Sequence, residues 1–585
     1  MVALRRYWPM LLLWVIVSAI LIWLSWTQII TRQGWDPDDQ LRLVQLRDFL
    51  GGQSWFDTTQ YRMNAPDGAP MHWSRLVELP LALVVLIATP LLGTARAEMA
   101  AGIIIPMFCL GGIAFLLAQV AGKIAGRSAA IVAFFLALIA PALLLQLRPM
   151  RIDHHGWQIF CAALGFATLY WANIRKAGLV LGVALAVWIH ISLEGAPMTA
   201  AFFLYLGWRW TCDQSEAPRL FWTLCSFATS STLLFFGTQS AGLSAPNFCD
   251  TVSPAHLCAI FAATVILLPS TNANPKNQYV RIGITAVAGA AALAVLFWAI
   301  PQCGTGAFGG LDPIVTKFWY SNVTEGLPVW HQDPIVAITL LSPLAAALIA
   351  LWVAFRFVDE THRPLLAPVG FFLIYASLLS LFVLRTASVA TAFAVIPAAL
   401  CLTAAVRRYR VEPLLTRRIM LAAAVLVLLV PGSIAGNLAQ AFSGSSGADA
   451  KSQAGHNASQ EKCESIPSIQ TLSVLPTGNI AAPFDLGPAI LLTTKHTVLA
   501  SSHHRNHQGM RDQIDILRLA PDQSRLIMQR HNISYLVICP YEPELKNYVR
   551  RNPFGLWTLL EKGKVPEWLE YQGTVGRGLK VWRVR

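Results

Sequence analysis

Charge is what this 585-residue chain has least of: 13% of its residues are Asp, Glu, Lys or Arg, 55% are hydrophobic and the mean hydropathy is +0.52. A soluble domain carries about 25% charged residues, so an ordinary soluble protein is excluded. The ten cysteines include no CxxC pair and no Cys/His zinc spacing. No repeat with a period of about 20 to 50 residues occurs, which excludes a solenoid and tells against an inverted-repeat transporter. The first apolar run, Tyr7 to about Ile30, follows Arg5 and Arg6 but has no small-residue cleavage site. It reads as a retained helix that starts in the cytoplasm, not as a signal peptide.

What is present is a series of apolar segments over about 440 residues, the mark of a polytopic membrane protein. The net charge of +13 sits in short turns between those segments, where Lys and Arg orient helices, so nucleic acid is not an expected partner. Taking Lys123 with Arg127, Arg175 with Lys176, Arg209 with Arg219, Lys276 with Arg281, Arg356 with Arg363, and Arg407 to Arg418 as cytoplasmic gives thirteen crossings. They fall near residues 8–30, 100–121, 129–147, 156–173, 177–191, 196–210, 220–239, 256–270, 281–301, 335–355, 364–384, 387–406 and 419–438. Loops 31–99, 148–155 and 302–334, and everything after 440, then lie on the outer face. Leu79 to Leu92 is too short for a crossing of about 20 residues and reads as interfacial or re-entrant.

The expected architecture is a polytopic α-helical membrane domain over 1–440, a linker over 441–465 and a small outer-face α/β domain over 466–585. Within the last, Gly478 to Thr494, His496 to Ala500 and Ile533 to Cys539 read as strands and Met510 to Gln529 as an amphipathic helix. Cys249 with Cys258, and Cys463 with Cys539, share outer segments and can form disulfides in an oxidising compartment; free thiols are the equal alternative.

Three polar islands interrupt the oily pattern on that one face. WDPDDQLRL, from Trp35, bunches Asp36, Asp38 and Asp39 ahead of Arg42. Such oxygen ligands suit Mg²⁺ or Mn²⁺, although Asp38 and Asp39 equally suit the N-terminal dipole of a helix. RIDHHGW, from Arg151, offers Asp153, His154 and His155. Glu325 stands in SNVTEGLP, within a long loop carrying Gly304, Gly306, Gly309 and Gly310. Arg385, in VLRTASVATAF, suits either phosphate or interfacial snorkelling. HHRNHQG contributes His504 and Arg505, a cationic cluster for a donor phosphate or a plain polar loop. Tyr61, His72, Trp73 and Arg75 are candidates to line a sugar site.

These residues resemble the catalytic subunit of oligosaccharyltransferase and the wider GT-C class of polyprenyl-linked sugar transferases. Archaeal members read Asp-x-Tyr-Tyr-His-x-Arg-Leu in the first outer loop, and DPDDQLRL keeps Asp36, Arg42 and Leu43 at that spacing. The family's Asp-x-His metal pair is matched by Asp153 and His155, and its Thr/Ser-x-x-Glu motif is similar to SNVTE with Glu325. Arg385 is similar to a family arginine near the acceptor and metal site. The family also has thirteen helices, a cytoplasmic start and an outer C-terminal domain. Its Trp-Trp-Asp-Tyr-Gly acceptor motif is replaced by Pro483, Phe484, Asp485, Leu486 and Gly487, so a lipid, glycan or protein acceptor is left open.

The resemblance implies metal-assisted transfer of a sugar or oligosaccharide from a polyprenyl phosphate or pyrophosphate, by a multi-pass protein of the inner (plasma) membrane with its C-terminal domain on the periplasmic face. Asp36, Asp153, His155 and Glu325 would hold Mg²⁺ or Mn²⁺, with Asp36 or Glu325 serving the acceptor and Arg385, Arg505 and His504 the donor phosphate. Phe484 and Asp485 would face the acceptor. The alternative is a transporter or lipid-linked glycan flippase, which would use an ionisable group near a helix end such as Glu194.

Overall fold

The structure is a computed structural model that describes residues 2–306, 308, 310–442 and 458–585; the middle of the expected linker and Gly309 lie outside them. Among the described residues nine helices are long and apolar enough to cross a membrane, or ten if Leu415–Leu429 and Pro431–Phe442, bent by 91°, form one span. This is a multi-pass membrane protein. The difference from the expected thirteen has identifiable sources. The segments expected at 156–173 and 196–210 are helices of 14 and 17 residues, His155–Thr168 and Ala196–Cys212. The expected crossing at 100–121 and the first part of that at 129–147 share the 46-residue stretch Thr94–Ile139, which is broken at Ala125 and Gly126. Gly126 takes a φ of 81°, open to glycine at no steric cost. Residues eight apart in a straight helix are about 12 Å apart. A Cβ on Gly122 would nonetheless lie 3.1 Å from that of Ala130, so the chain doubles back.

Leu384–Val411 is the central span, 78% buried, whereas Gln278–Ala299 is 6% buried and faces outward. The alanine-rich first half of the central helix lets neighbouring backbones approach closely. Glu78–Leu92 is a 15-residue helix, about 22 Å long and short of a 30 Å hydrocarbon core. Its first residue is fixed by a fully buried ion triad, Arg42 and Arg75 with Glu78 at 3.2 and 2.7 Å.

The C-terminal domain holds a five-stranded sheet of β1 (Asn479–Ala481), β2 (Thr497–Val498), β3 (Ile533–Ile538), β4 (Leu569–Val575) and β5 (Leu579–Val584), in the order β2-β1-β3-β5-β4. β1 is parallel to β2 and β3; β5 is antiparallel to β3 and β4. The strand expected over Gly478 to Thr494 is corrected: only its first residues pair, and Leu486–Thr493 is a helix. A short apolar run has no periodicity that separates the two states, and Pro488 suits a first helical turn. The single helix expected over Met510 to Gln529 is two, His507–Arg518 and Pro521–Arg530, because Pro521 cannot continue the first.

This domain is docked on the first loop. Asn64 donates its backbone N–H to the Val498 carbonyl at 2.8 Å and Val498 returns one to Arg62 at 2.9 Å, covering the β2 edge. Arg47 and Arg62 donate to the Leu491, Leu492 and Thr494 carbonyls, satisfying the C-terminus of Leu486–Thr493. Leu41, Val44 and Leu486 share one core with Cys463 and Cys539.

Cys463 and Cys539 form a disulfide, one of the two alternatives open for this pair, 76 residues apart. The other pairing is corrected: Cys249 bonds Cys303, not Cys258, which is an exposed free thiol inside the helix Pro254–Ala273. Closing a loop as long as that between Cys463 and Cys539 removes denatured-state entropy worth roughly 4 kcal/mol. Replacing both by Ser is expected to lower stability by about 2–5 kcal/mol, readable in chemical unfolding of the C-terminal domain.

Candidate functional site

The helix Pro37–Leu50 starts where it does because Asp36 caps it, Pro37 opens it and Asp39 completes a capping box. Asp36 Oδ1 accepts the backbone N–H groups of Asp38 and Asp39 at 2.8 and 3.3 Å. Asp39 has a structural task. It is buried, and its carboxylate accepts from Trp35, Ile152 and Asp153 backbone N–H groups at 3.0, 2.9 and 3.1 Å, which locks the first loop to the second.

Three of the expected carboxylates then converge. Oxygens of Asp36, Asp38 and Asp153 all lie within 4.8 Å of one another, and Asp153, His154 and His155 form an overlapping buried group. Arg151 binds this cluster from behind, contacting Asp36, Asp39 at 3.1 Å and Asp153 at 3.4 Å. Asp153 Oδ2 is 2.7 Å from His155 Nδ1, which leaves His155 Nε2 buried with no hydrogen-bond partner; His154 Nδ1 is likewise orphaned. Burial, with the charges of Asp36 and Asp153, pushes the Asp38 carboxyl well above the usual range. Burial acts on Asp153 in the same sense, but the neighbouring His155 and Arg151 outweigh it and hold that carboxyl well below. Among the described residues none donates a hydrogen bond to the Asp38 carboxylate, and with Asp36 and Asp153 it forms a group of oxygens that could hold a metal ion. Oxygen-rich ligation with one or two imidazoles fits Mg²⁺ or, better, Mn²⁺.

Glu325 is not in that cluster. It is half exposed, with Oε1 3.7 Å from Arg385 Nη2. Arg385 Nη1 donates to Glu194 Oε1 at 2.7 Å, and Glu194 Oε2 is 3.9 Å from His154 Nε2. Glu194, read from sequence as the best residue for a transporter, therefore joins the acidic cluster to the arginine. Burial works to raise its carboxyl, yet Arg385 holds it well below the usual range. The Glu325 loop is seated on the arginine: Leu384 N–H reaches the Leu327 carbonyl, and a Cβ on Gly326 would be 2.8 Å from Arg385 Nη2.

Arg42 is absorbed in the buried triad with Glu78 and stacks its guanidinium 4.1 Å over Trp73. His504 and Arg505 both engage Asp250, a residue that sequence reasoning did not single out. Burial, with the nearby charges of His504 and Arg505, holds His72 and His503 well below the ordinary histidine value. Trp73, 4.3 Å from the His503 ring and 6.2 Å from that of His154, connects this group to the acidic cluster. Phe484 is buried in the C-terminal core, whereas Asp485 beside it is exposed and within electrostatic reach of Asp36.

No protein-family model and no curated protein matches this sequence. Solved structures do. The Archaeoglobus fulgidus oligosaccharyltransferase tethered with an acceptor peptide containing the NVT sequon is similar over 98% of this chain and 74% of that one, with TM-score 0.62 and 15% identity. The same organism's oligosaccharyltransferase AglB in complex with an inhibitory peptide and a dolichol-phosphate gives 0.60 and 14% over 92% of this chain and 70% of that one. The fold is the GT-C fold of oligosaccharyltransferase. The apo form agrees, at TM-score 0.59 and 14% identity over 91% of this chain and 70% of that one. In this fold the first two polar islands of the sequence meet at the junction of the first and second loops, and the third adjoins them through Arg385 at the head of the central helix.

Proposed function

We propose that this chain is an integral-membrane glycosyltransferase that moves a sugar or oligosaccharide from a polyprenyl phosphate or pyrophosphate to an acceptor, on the membrane face that carries the C-terminal domain. The observation that carries this reading is the convergence of Asp36, Asp38 and Asp153 within 4.8 Å, beside an arginine braced by Glu194. A transporter would spread its acids along a path through the bilayer; Glu194, the one acid that suited such a path, is bound to Arg385 in the same site. The dolichol-phosphate and acceptor peptide in the AglB structures support a lipid-linked donor and leave a peptide acceptor in play. Two disulfides support placing this face in an oxidising compartment, the periplasm of an inner-membrane protein.

Asp36, Asp38, Asp153 and His155 would hold Mg²⁺ or Mn²⁺, with Glu325 able to approach because its loop lies on the surface. A structure of the Archaeoglobus fulgidus enzyme in complex with Zn and sulfate supports a cation in this fold. When bound, the ion neutralises charge that develops on the departing phosphate. Arg385 keeps its Nε buried and unpartnered, and its fork presents donors to a phosphate oxygen. Asp36 has one oxygen committed to capping the Pro37–Leu50 helix and the other to Arg151, so its task is to fix ligand geometry. Glu325, half exposed and weakly held, is the residue free to orient an acceptor and take its proton. Asp485 stands at the mouth of the site, where the acceptor would enter.

In proteoliposomes, a polyprenyl-linked sugar supplied on the C-terminal-domain side is expected to be consumed in a reaction that EDTA stops. A donor that crosses the bilayer chemically unchanged would support the flippase instead. A second expected outcome concerns Gly326→Ala, whose methyl would displace the Arg385 guanidinium. It should lower kcat/KM about 10- to 100-fold, mainly through KM for the donor, with unfolding unchanged.

A further inference from the structure

We propose that His72, Asp250 and His504 form a second metal site, separate from the acidic cluster and selective for Zn²⁺, which staples the C-terminal domain to two loops of the membrane domain. The three residues come from distant parts of the chain. His72 belongs to the first loop, Asp250 follows the disulfide-bonded Cys249, and His504 lies in the C-terminal domain just after the sheet's β2 edge. Their ligand atoms all lie within 4.8 Å of one another. Asp250 Oδ2 is 2.7 Å from His504 Nε2, and the His72 and His504 rings are 4.6 Å apart.

Two imidazoles and a carboxylate are a donor set for Zn²⁺, which binds His nitrogen and Asp oxygen at about 2.0–2.2 Å in a tetrahedron. Nitrogen donors select against Mg²⁺ and Ca²⁺, in contrast to the oxygen-rich cluster at Asp36. The carboxylate is already oriented. Arg505 Nη2 grips Asp250 Oδ1 at 2.7 Å and its Nε approaches Oδ2 at 2.9 Å, while the guanidinium lies 4.0 Å over Phe248. Arg505 is thus a positioning residue for the ligand, in the manner of the outer-shell groups that fix metal carboxylates.

An independent observation points to a missing ligand. His503 is 2% exposed, yet both its ring nitrogens are buried without a hydrogen-bond partner. Its ring faces that of His72 at 5.4 Å, and His72 Nδ1 is also buried and unpartnered. Buried imidazole nitrogens ordinarily find partners. A zinc ion at His72, Asp250 and His504 would supply a partner within a buried pocket that gathers unsatisfied imidazole nitrogens beside one acid.

The site does not depend on the sugar-transfer reading, and the test keeps the two apart. Full-length protein is stripped with EDTA, dialysed and titrated with Co²⁺ as a spectroscopic substitute for Zn²⁺. Wild type and Asp153→Asn are expected to show the visible bands of tetrahedral Co²⁺, displaced by one equivalent of Zn²⁺. His72→Gln and His504→Gln should lose them, with affinity reduced at least about 10-fold. His504→Cys, which restores a ligand as a thiolate, should bind one equivalent and add a sulfur-to-cobalt charge-transfer band. Unaltered Co²⁺ binding in the two Gln variants, or no tetrahedral spectrum in wild type and His504→Cys, would overturn the proposal.

Discussion

Asp153→Asn is expected to lower sugar transfer by about 10²–10³-fold, the range seen when one preorganised electrostatic group is removed from an active site. Asn keeps the shape and can still accept from the His155 backbone N–H, which Asp153 holds at 2.6 Å. What it loses is the negative charge that belongs to both the three-carboxylate cluster and the His155 ring. The fold should tolerate the change, since Arg151 retains Asp36 and Asp39 as partners. Asp39→Asn is the informative comparison. Asp39 is bound to backbone on two loops and should act on stability before it acts on transfer. Donor turnover and thermal unfolding measured on both variants separate the two roles; equal transfer in wild type and Asp153→Asn would remove Asp153 from the chemistry.

The second large effect is on stability. Arg151→Met is expected to cost about 3–5 kcal/mol, because removing one member of a buried ion network leaves the others uncompensated. Arg151 has a 5% exposed side chain shared among Asp36, Asp39 and Asp153, with Gln146 Oε1 at 3.2 Å. Without it, Asp39 and Asp153 each lose a charge that opposes their burial, so both carboxyls titrate higher than in wild type. The deficit should therefore be largest above their pKa values and shrink as falling pH protonates them. Chemical unfolding of Arg151→Met across pH 5 to 8 checks the sign: a deficit that grows as pH falls would show that Arg151 does not compensate these acids.

The grouping of Asp36 with Asp153 is legible in the sequence because loop charge predicts which loops share a face. Lys and Arg in the short turns predict one face for Asp36, Asp153 and Glu325, and the structure brings the first two together across 117 residues. The distinction between Asp38 and Asp39 was not drawn, although the Asp-x-x-Asp spacing from Asp36 is itself a capping-box signal. The role of Arg151 is not legible in the sequence, since nothing local shows which carboxylates an arginine will compensate. Glu194 reads from the sequence only as the best candidate for the alternative transporter, because a helix-end acid shows no partner in one dimension. Asp250 was invisible for the same reason: its partners are 254 and 255 residues away.

The fold divides in the same way. Apolar length marked the spans, but the reversal at Gly126 and the 14-residue helix at His155–Thr168 show that hydropathy does not fix how a span ends. In the C-terminal domain β3 was evident from its β-branched run. The hairpin of β4 and β5 went unread, even though Gly576 and Gly578 supply the positive φ values that its turn requires.

The central claim is that the converging carboxylates are a metal-assisted sugar-transfer site. It is tested most directly by consumption of a radiolabelled polyprenyl-linked sugar by wild type and the Asp36→Ala, Asp153→Ala and Glu325→Ala variants, each with Mn²⁺ and with EDTA. The account predicts turnover in wild type that EDTA abolishes and that each substitution reduces severely. Full activity in all three variants would contradict it.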